Sequence, residues 1–351
     1  MDTKIFIMNE DNIDYEKIKE CANAIRLGKL VVFPTETVYG LGANALDKFA
    51  VKGIFKAKGR PSDNPLIVHI KNRDDINSLV KEIPEKANEL MKKFWPGSLT
   101  LILKKSTIIP YETTGNLDTV AIRFPSNKIA RSLIEMAGVP IAAPSANISG
   151  KVSGTTLSMC IKDLNDKVDY IIGGDDSEVG LESTVVDCTT IPFCILRPGI
   201  ITLEELKEID EGIYLDDSII KYKDEDKPKS PGMKYKHYAP NAMVFIIKGE
   251  QAKVFEYIIK QGEKLINKGK RIGIICTDET YDQYNIFKNV VSLGTLYDER
   301  EIAKNLFKTL NYFDTLETDI ILSESFNENN IGLAIMNRLK KSAGFNIINV
   351  R

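Results

Sequence analysis

Histidine is nearly absent from this chain: 351 residues contain two, His69 and His237. A histidine-built metal centre or a Ser/His/Asp triad is therefore poorly supplied. Cysteine is sparse and unpatterned. Cys21, Cys160, Cys188, Cys194 and Cys276 form no C-x-x-C pair and are odd in number, which argues against a zinc cluster or a disulfide framework and fits a reducing cytoplasm. No apolar stretch approaches the length of a membrane span, and Met1-Asp-Thr-Lys-Ile-Phe6 carries no signal-like run, so a cytoplasmic protein without membrane contact is expected. An excess of one charge is also missing. Lys and Arg total 47 against 49 Asp and Glu, a net charge of −2, which gives no support to a nucleic-acid coat. Any anion site must be built locally. No G-K-[ST] triplet occurs, which excludes a P-loop.

The 43% apolar and 27% charged residues are those of an ordinary globular protein, and the length suggests two domains. Apolar periodicity predicts helices over 14–29, 47–58, 84–95 and 126–137, the last with a Ser126 cap. Strands are predicted over 30–33, 66–70, 99–103, 119–124, 141–143, 170–172, 184–186 and 194–196. This is an α/β domain with a mixed sheet rather than a clean βαβ alternation. Dense, aperiodic charge then predicts a linker over 211–240, ending in Ser230-Pro-Gly-Met-Lys-Tyr235-Lys-His237-Tyr238-Ala-Pro240. Beyond it, strands over 243–247, 271–276, 289–293 and 319–322 alternate with helices over 252–267, 299–313 and 332–341, the pattern of a small Rossmann-like parallel α/β domain. The expected domains are thus 1–210 and 241–351.

The most informative stretch is Lys56-Ala-Lys58-Gly-Arg60-Pro-Ser-Asp-Asn64-Pro65, which leads into the apolar Leu66-Ile-Val-His69-Ile70. A basic loop fixed by Gly and Pro can seat a polyphosphate, although such lysines also sit commonly at solvated helix ends. Upstream, Gly40-Leu-Gly42-Ala-Asn-Ala45 matches a loose dinucleotide fingerprint. It lacks the ribose-binding acid, so a tight turn with close backbone packing is the better reading than NAD binding. Arg123 stands in the apolar strand Thr119-Val-Ala-Ile-Arg123 and must have a partner, either an internal carboxylate or that of a ligand. His69 is either a satisfied core residue or a hydrogen-bonding contact to substrate. Ala143-Pro-Ser145-Ala-Asn147 reads as a polar turn at a strand end, and Glu182-Ser183-Thr184 and Leu196-Arg197-Pro-Gly199 repeat that theme.

Together these pieces resemble the YrdC-type threonylcarbamoyl-AMP synthase family. They are Pro34-Thr-Glu-Thr-Val-Tyr-Gly-Leu-Gly42, Lys58-Gly-Arg60-Pro, Asn64-Pro-Leu66, Pro144-Ser-Ala-Asn147, Ser183-Thr-Val185 and Arg197-Pro-Gly199. The linker and trailing domain resemble the long, two-domain form, with Lys234 and Lys236 where members can carry Arg. The resemblance implies a YrdC-like mixed twisted sheet with a concave cleft. It also implies a reaction in which L-threonine, bicarbonate and ATP give threonylcarbamoyl-adenylate and pyrophosphate. Downstream transferase proteins then modify the adenosine beside the tRNA anticodon, and direct tRNA contact is an open expectation. Lys58 and Arg60 are the implied catalytic pair. Lys58, Arg60, Asn64, Thr119, Ser145, Asn147, Ser153, Arg197 and Tyr235 are the implied ATP contacts, with Mg²⁺ accompanying ATP. Thr35, Thr37, His69, Arg123 and Ser183 are the implied threonine contacts. The linker is expected to close as a lid over the labile adenylate. The competing expectation is a non-catalytic tRNA or double-stranded RNA binding module, which the net acidity disfavours.

Overall fold

A computed structural model describes residues 2–220 and 237–351. It divides into two compact units, Met1–Ser149 with Ser153–Tyr235 and Gly150–Val152 with Lys236–Arg351.

The first unit is built on a mixed sheet. Its strands are β1 (Lys4–Met8), β2 (Val31–Phe33), β3 (Gly40–Asn44), β4 (Ile67–His69), β5 (Leu99–Lys104), β6 (Thr119–Arg123), β7 (Ile141–Ala143), β8 (Tyr170–Gly174), β9 (Thr184–Asp187), β10 (Cys194–Arg197) and β11 (Tyr214–Leu215). Among the described residues their order is β1-β8-β2-β3-β7-β4-β6-β5-β9-β10-β11. β4 runs parallel to β6, β6 antiparallel to β5, and β5 parallel to β9. Alternation along each strand sends Val68, Leu101, Leu103, Val120, Ile122 and Val186 into one large core. On the opposite face, Ile67, Ile102, Ala121 and Val185 join Cys194 and Leu196 in a smaller apolar patch.

Helix α1 (Tyr15–Arg26) starts where the Asp14 side chain accepts from the Lys17 amide. It buries Ile18, Cys21, Ala22 and Ile25 in a second core with Ile129, Leu133 and Ile134. Helix α2 (Lys48–Lys58) is capped by Asp47 and stopped by Gly59 in the left-handed region, φ 62°. Helices α3 (Glu85–Phe94), α4 (Lys128–Ala137) and α5 (Leu157–Leu164) follow. Two local expectations need correcting. The cap of α4 is Asn127, whose side chain accepts from the Ala130 amide; the backbone N–H of Ser126 donates instead to Glu36. The Gly40–Gly42 segment is a strand and not a turn, because it pairs with β2 and runs on into Ala43 and Asn44, which pair with β7 on the other side.

The segment expected as a linker opens with regular structure: Tyr214–Leu215 pairs in parallel with β10, and 217–220 form a helical turn. The rest of it up to Lys236, with Tyr235 and most of the expected lid, lies outside the described residues.

The second unit carries β12 (Met243–Lys248), β13 (Ile272–Cys276), β14 (Val290–Ser292), β15 (Ile320–Glu324) and β16 (Ile347–Asn349). Their order is β14-β13-β15-β12-β16, and every pairing is parallel. Its long helices are α6 (Gln251–Asn267), α7 (Glu299–Thr315) and α8 (Asn330–Ser342). The alternation of apolar strands with amphipathic helices is what a parallel sheet requires. Among the described residues no helix is long and apolar enough to cross a membrane.

Candidate active site

The first unit gathers most of the expected site residues into two polar groups. One lies in a row across the sheet. His69 on β4 is the Cα partner of Arg123 on β6, and Arg123 is the partner of Thr100 on β5. Thr100 Oγ1 lies 2.7 Å from the Ser183 hydroxyl, and Arg197 donates to both the carbonyl and the hydroxyl of Ser183, at 3.0 and 3.1 Å. The apolar patch of Ile67, Ala121 and Ile102 lies one register step away on the same face.

Arg123 has an internal carboxylate partner. Its Nη2 donates to Glu36 at 2.5 Å, its Nη1 to the Thr37 hydroxyl at 2.6 Å and its Nε to the Gly97 carbonyl at 3.2 Å. Thr37 Oγ1 lies 2.9 Å from Thr35 Oγ1, which donates onward to the Val38 carbonyl at 2.6 Å. A polar chain thus runs from the guanidinium into the loop after β2. The Thr35 hydroxyl helps to build that loop, since it also accepts from the amides of Thr37 and Val38. Ser153 donates to Glu182 at 2.6 Å.

His69 is buried, with Nδ1 3.1 Å from the Ile67 carbonyl. A carbonyl can only accept, so Nδ1 carries the proton and Nε2 keeps its lone pair. Burial, reinforced by the positive charge of Arg123, lowers the His69 pKa from 6.5 to about 3. The ring is neutral at physiological pH.

The second group surrounds the end of α2. Lys58 is 2% exposed, so the solvated helix end that such sequences suggest does not describe it. Its ammonium donates to the carbonyls of Ser145 and Asn147, and the Asn147 side-chain oxygen lies 3.4 Å away. Burial and the nearby Arg60 charge pull its pKa well below the ordinary lysine range, while Asp163 opposes them. The Ser145 hydroxyl donates to Asn147 Oδ1 at 2.6 Å, and Arg60 Nη2 to the Pro65 carbonyl at 3.2 Å. Asn64 is 1% exposed, and its side-chain oxygen has no hydrogen-bond partner among the described residues. A buried acceptor left open beside a basic loop fits a group completed by a ligand donor.

The two groups sit on paired loops. The Leu41 amide donates to the Pro144 carbonyl and the Ala146 amide to that of Tyr39, which joins the segment carrying Ser145 and Asn147 to the one carrying Thr35 and Thr37. Thr119 stands apart: it is half-buried at the start of β6, opposite Lys104 and four residues from Arg123. Tyr235 lies outside the described residues.

Sequence reasoning missed Glu36 and Thr100 as members of the row. A signal for Glu36 was present, because it is the lone charged residue between Lys29 and Asp47, just as Arg123 is between Asp118 and Lys128. Two isolated opposite charges in apolar stretches are natural partners.

The chain was also compared with known proteins. Residues 23–199 match the Sua5–YciO–YrdC family model, described as "Telomere recombination". Residues 201–344 match the model described as "Threonylcarbamoyl-AMP synthase, C-terminal domain". The threonylcarbamoyl-AMP synthase of Pyrococcus abyssi is 48% identical over 346 residues, 99% of each chain. That of Bacillus subtilis is 43% identical over 344 residues, 97% of each. A crystal structure of P. abyssi Sua5 complexed with L-threonine matches with a TM-score of 0.94 at 48% identity, covering 99% of this chain and 100% of that one. The E. coli YciO structure matches with a TM-score of 0.52 at 27% identity, over 56% of this chain and 96% of its own. Family models that together span nearly the whole chain, full-length relatives and a full-length structural match agree, and this chain belongs to the threonylcarbamoyl-AMP synthase family in its two-domain form.

Proposed function

We propose that the chain is a nucleotidyltransferase of the cytoplasm that condenses L-threonine, bicarbonate and ATP into threonylcarbamoyl-adenylate and pyrophosphate. The threonine amine and bicarbonate give a carbamate and water. A carbamate oxygen then attacks the α-phosphorus, and pyrophosphate leaves. No side-chain nucleophile is needed, and positioning with charge neutralisation carries the rate. The product serves separate transferase proteins that modify a tRNA adenosine.

The observation that carries this reading is the polar row around Arg123. Three of its five guanidinium N–H groups have partners within the fold; among the described residues the other two, one on each terminal nitrogen, have none. Such a pair suits a substrate carboxylate. Neutral His69, Thr35, Thr37 and Ser183 surround the same row and suit the amine, the hydroxyl and the nascent carbamate. The neighbouring apolar patch suits a methyl group.

Lys58, Arg60 and Arg197 take the triphosphate, and Asn64, Thr119, Ser145, Asn147 and Ser153 take nucleotide or phosphate atoms. The bonds of Lys58 to the Ser145 and Asn147 carbonyls support a second duty, holding that loop against α2. Among the described residues no group of three or more His, Cys, Asp or Glu side chains is arranged to hold a metal ion. Mg²⁺ enters with ATP as part of the substrate.

The test is pyrophosphate release from Mg-ATP, with L-threonine and bicarbonate each omitted in turn. Release that requires both, and that falls by on the order of 10²-fold in Arg60→Ala or Lys58→Ala, is the expected result. No release from a folded chain under any combination would overturn the proposal and leave RNA binding, read by its salt dependence, as the activity to measure next.

A further inference from the structure

Among the described residues Arg123 is the one group assigned to a substrate whose side chain Glu36 bonds, and Glu36 is anchored at both carboxylate oxygens and at its backbone carbonyl. The two side chains are 6% and 4% exposed. Glu36 Oε1 receives Arg123 Nη2 at 2.5 Å and lies 3.4 Å from the Ser98 hydroxyl; its Oε2 accepts from the Ser126 amide at 3.2 Å. Its own carbonyl accepts from the Val179 amide at 2.8 Å. These partners come from three separate segments, before β5, after β6 and before β9. The carboxylate is therefore fixed by the fold and not by Arg123 alone.

The consequence falls on Arg123. A buried guanidinium without a counter-charge is costly, and a long arginine side chain has many rotamers. Glu36 meets both difficulties. It balances the charge, and with Thr37 and the Gly97 carbonyl it holds the planar group at three corners. The two N–H groups left over then have a fixed direction before any ligand arrives. A bidentate contact depends on that direction, so preorganisation here improves affinity without adding a contact to the ligand.

We propose that Glu36 is a positioning residue for the amino-acid substrate, which fixes the Arg123 fork so that its two remaining N–H groups receive the substrate carboxylate. This rests on the functional reading above, in which Arg123 takes the carboxylate of L-threonine.

The test uses the full chain as Glu36→Ala, Glu36→Gln and Arg123→Ala variants and the double variant Glu36→Ala with Arg123→Ala. Threonine-dependent pyrophosphate release gives the KM for L-threonine and the KM for ATP separately, and urea midpoints establish that each variant is folded. Glu36→Ala is expected to raise the threonine KM ten- to a hundredfold and to leave the ATP KM within twofold. Glu36→Gln, which keeps an oxygen acceptor, is expected to recover part of that loss. In the Arg123→Ala background, Glu36→Ala is expected to change the residual rate less than twofold, because it acts through the arginine. A threonine KM within twofold of the unaltered chain overturns the role. So does an ATP KM that rises by the same factor, or an effect that adds in full in the double variant. Should Glu36→Ala fail to fold, the same KM split in Glu36→Gln decides the question. An unaltered chain that releases no pyrophosphate in response to threonine overturns the functional reading itself, and with it the substrate named here.

Discussion

His69 shows how one buried side chain links stability to chemistry. Its folded pKa is about 3, whereas the unfolded chain takes up that proton near 6.5. Between those values the unfolded state holds more protons than the folded one, so stability falls as pH falls through that window. His69 should cost the protein about 2 kcal/mol between pH 7 and pH 5. Urea denaturation of the wild type and of His69→Gln over pH 4–8 checks this: the difference between their pH slopes should appear below pH 6.5 and vanish above it. The activity profile should carry no limb near pH 6.5 from this ring, since it is neutral there. Of the two readings of His69 in the sequence, the core residue is the one the fold displays: the ring is buried and Nδ1 serves the fold through the Ile67 carbonyl. Arg123 was legible as a paired charge because an apolar strand tolerates it in no other way, but its partner was not. Glu36 follows a Pro-Thr turn sequence that resembles exposed loop. Nothing local announces that the entire stretch from Leu30 to Ala43 is buried, because that burial comes from strands and loops distant in the chain.

At the scale of elements, the glycines of β3 have a packing role. A Cβ on Gly42 would stand 2.7 Å from the Phe33 ring and 2.8 Å from an Ile141 methyl, and one on Gly40 would meet Phe33 and Ala143 at 3.2 and 3.3 Å. The first pair is closer than carbon atoms approach, and a buried ring wedged beside β7 has nowhere to move. Gly42→Ala should therefore destabilise the first unit by about 1–3 kcal/mol, read from the urea midpoint with the slope unchanged. An equally stable variant would mean that β2 and β7 yield easily. The sequence reading recognised close backbone packing here and rejected a dinucleotide loop, but it took the segment for a turn. Two glycines in five residues lower strand propensity, and only pairing on both sides with β2 and β7 overrides it. Ser126 is also a cap by residue type, but the helix begins one residue later: Asn127 caps α4, and the Ser126 amide anchors Glu36.

At the scale of the whole molecule, the two units differ in how much of them could be read. The second unit alternates apolar strands with amphipathic helices, and this local pattern implies a parallel sheet directly. The first places β7 between β3 and β4, and β6 between β4 and β5, an order set by pairings between distant segments that leave no local trace. The second unit also has its own core. Ile247, Val254, Ile258, Ile274 and Leu322 pack together with Tyr284 and Phe287. The Phe313 ring lies where a Cβ on Gly273 would be, 2.5 Å from that position, and Phe287 meets Gly262 in the same way. These contacts lie wholly within residues 237–351, and a chain of that length buries enough surface to be stable alone. The fragment 237–351 should therefore fold independently and unfold in a single cooperative urea transition, with dispersed amide resonances. It should release no pyrophosphate from ATP, because every described side chain assigned to a substrate belongs to the first unit. A fragment without a cooperative transition would show that the parallel sheet depends on the rest of the chain, and pyrophosphate release by the fragment would displace the chemistry from the row around Arg123.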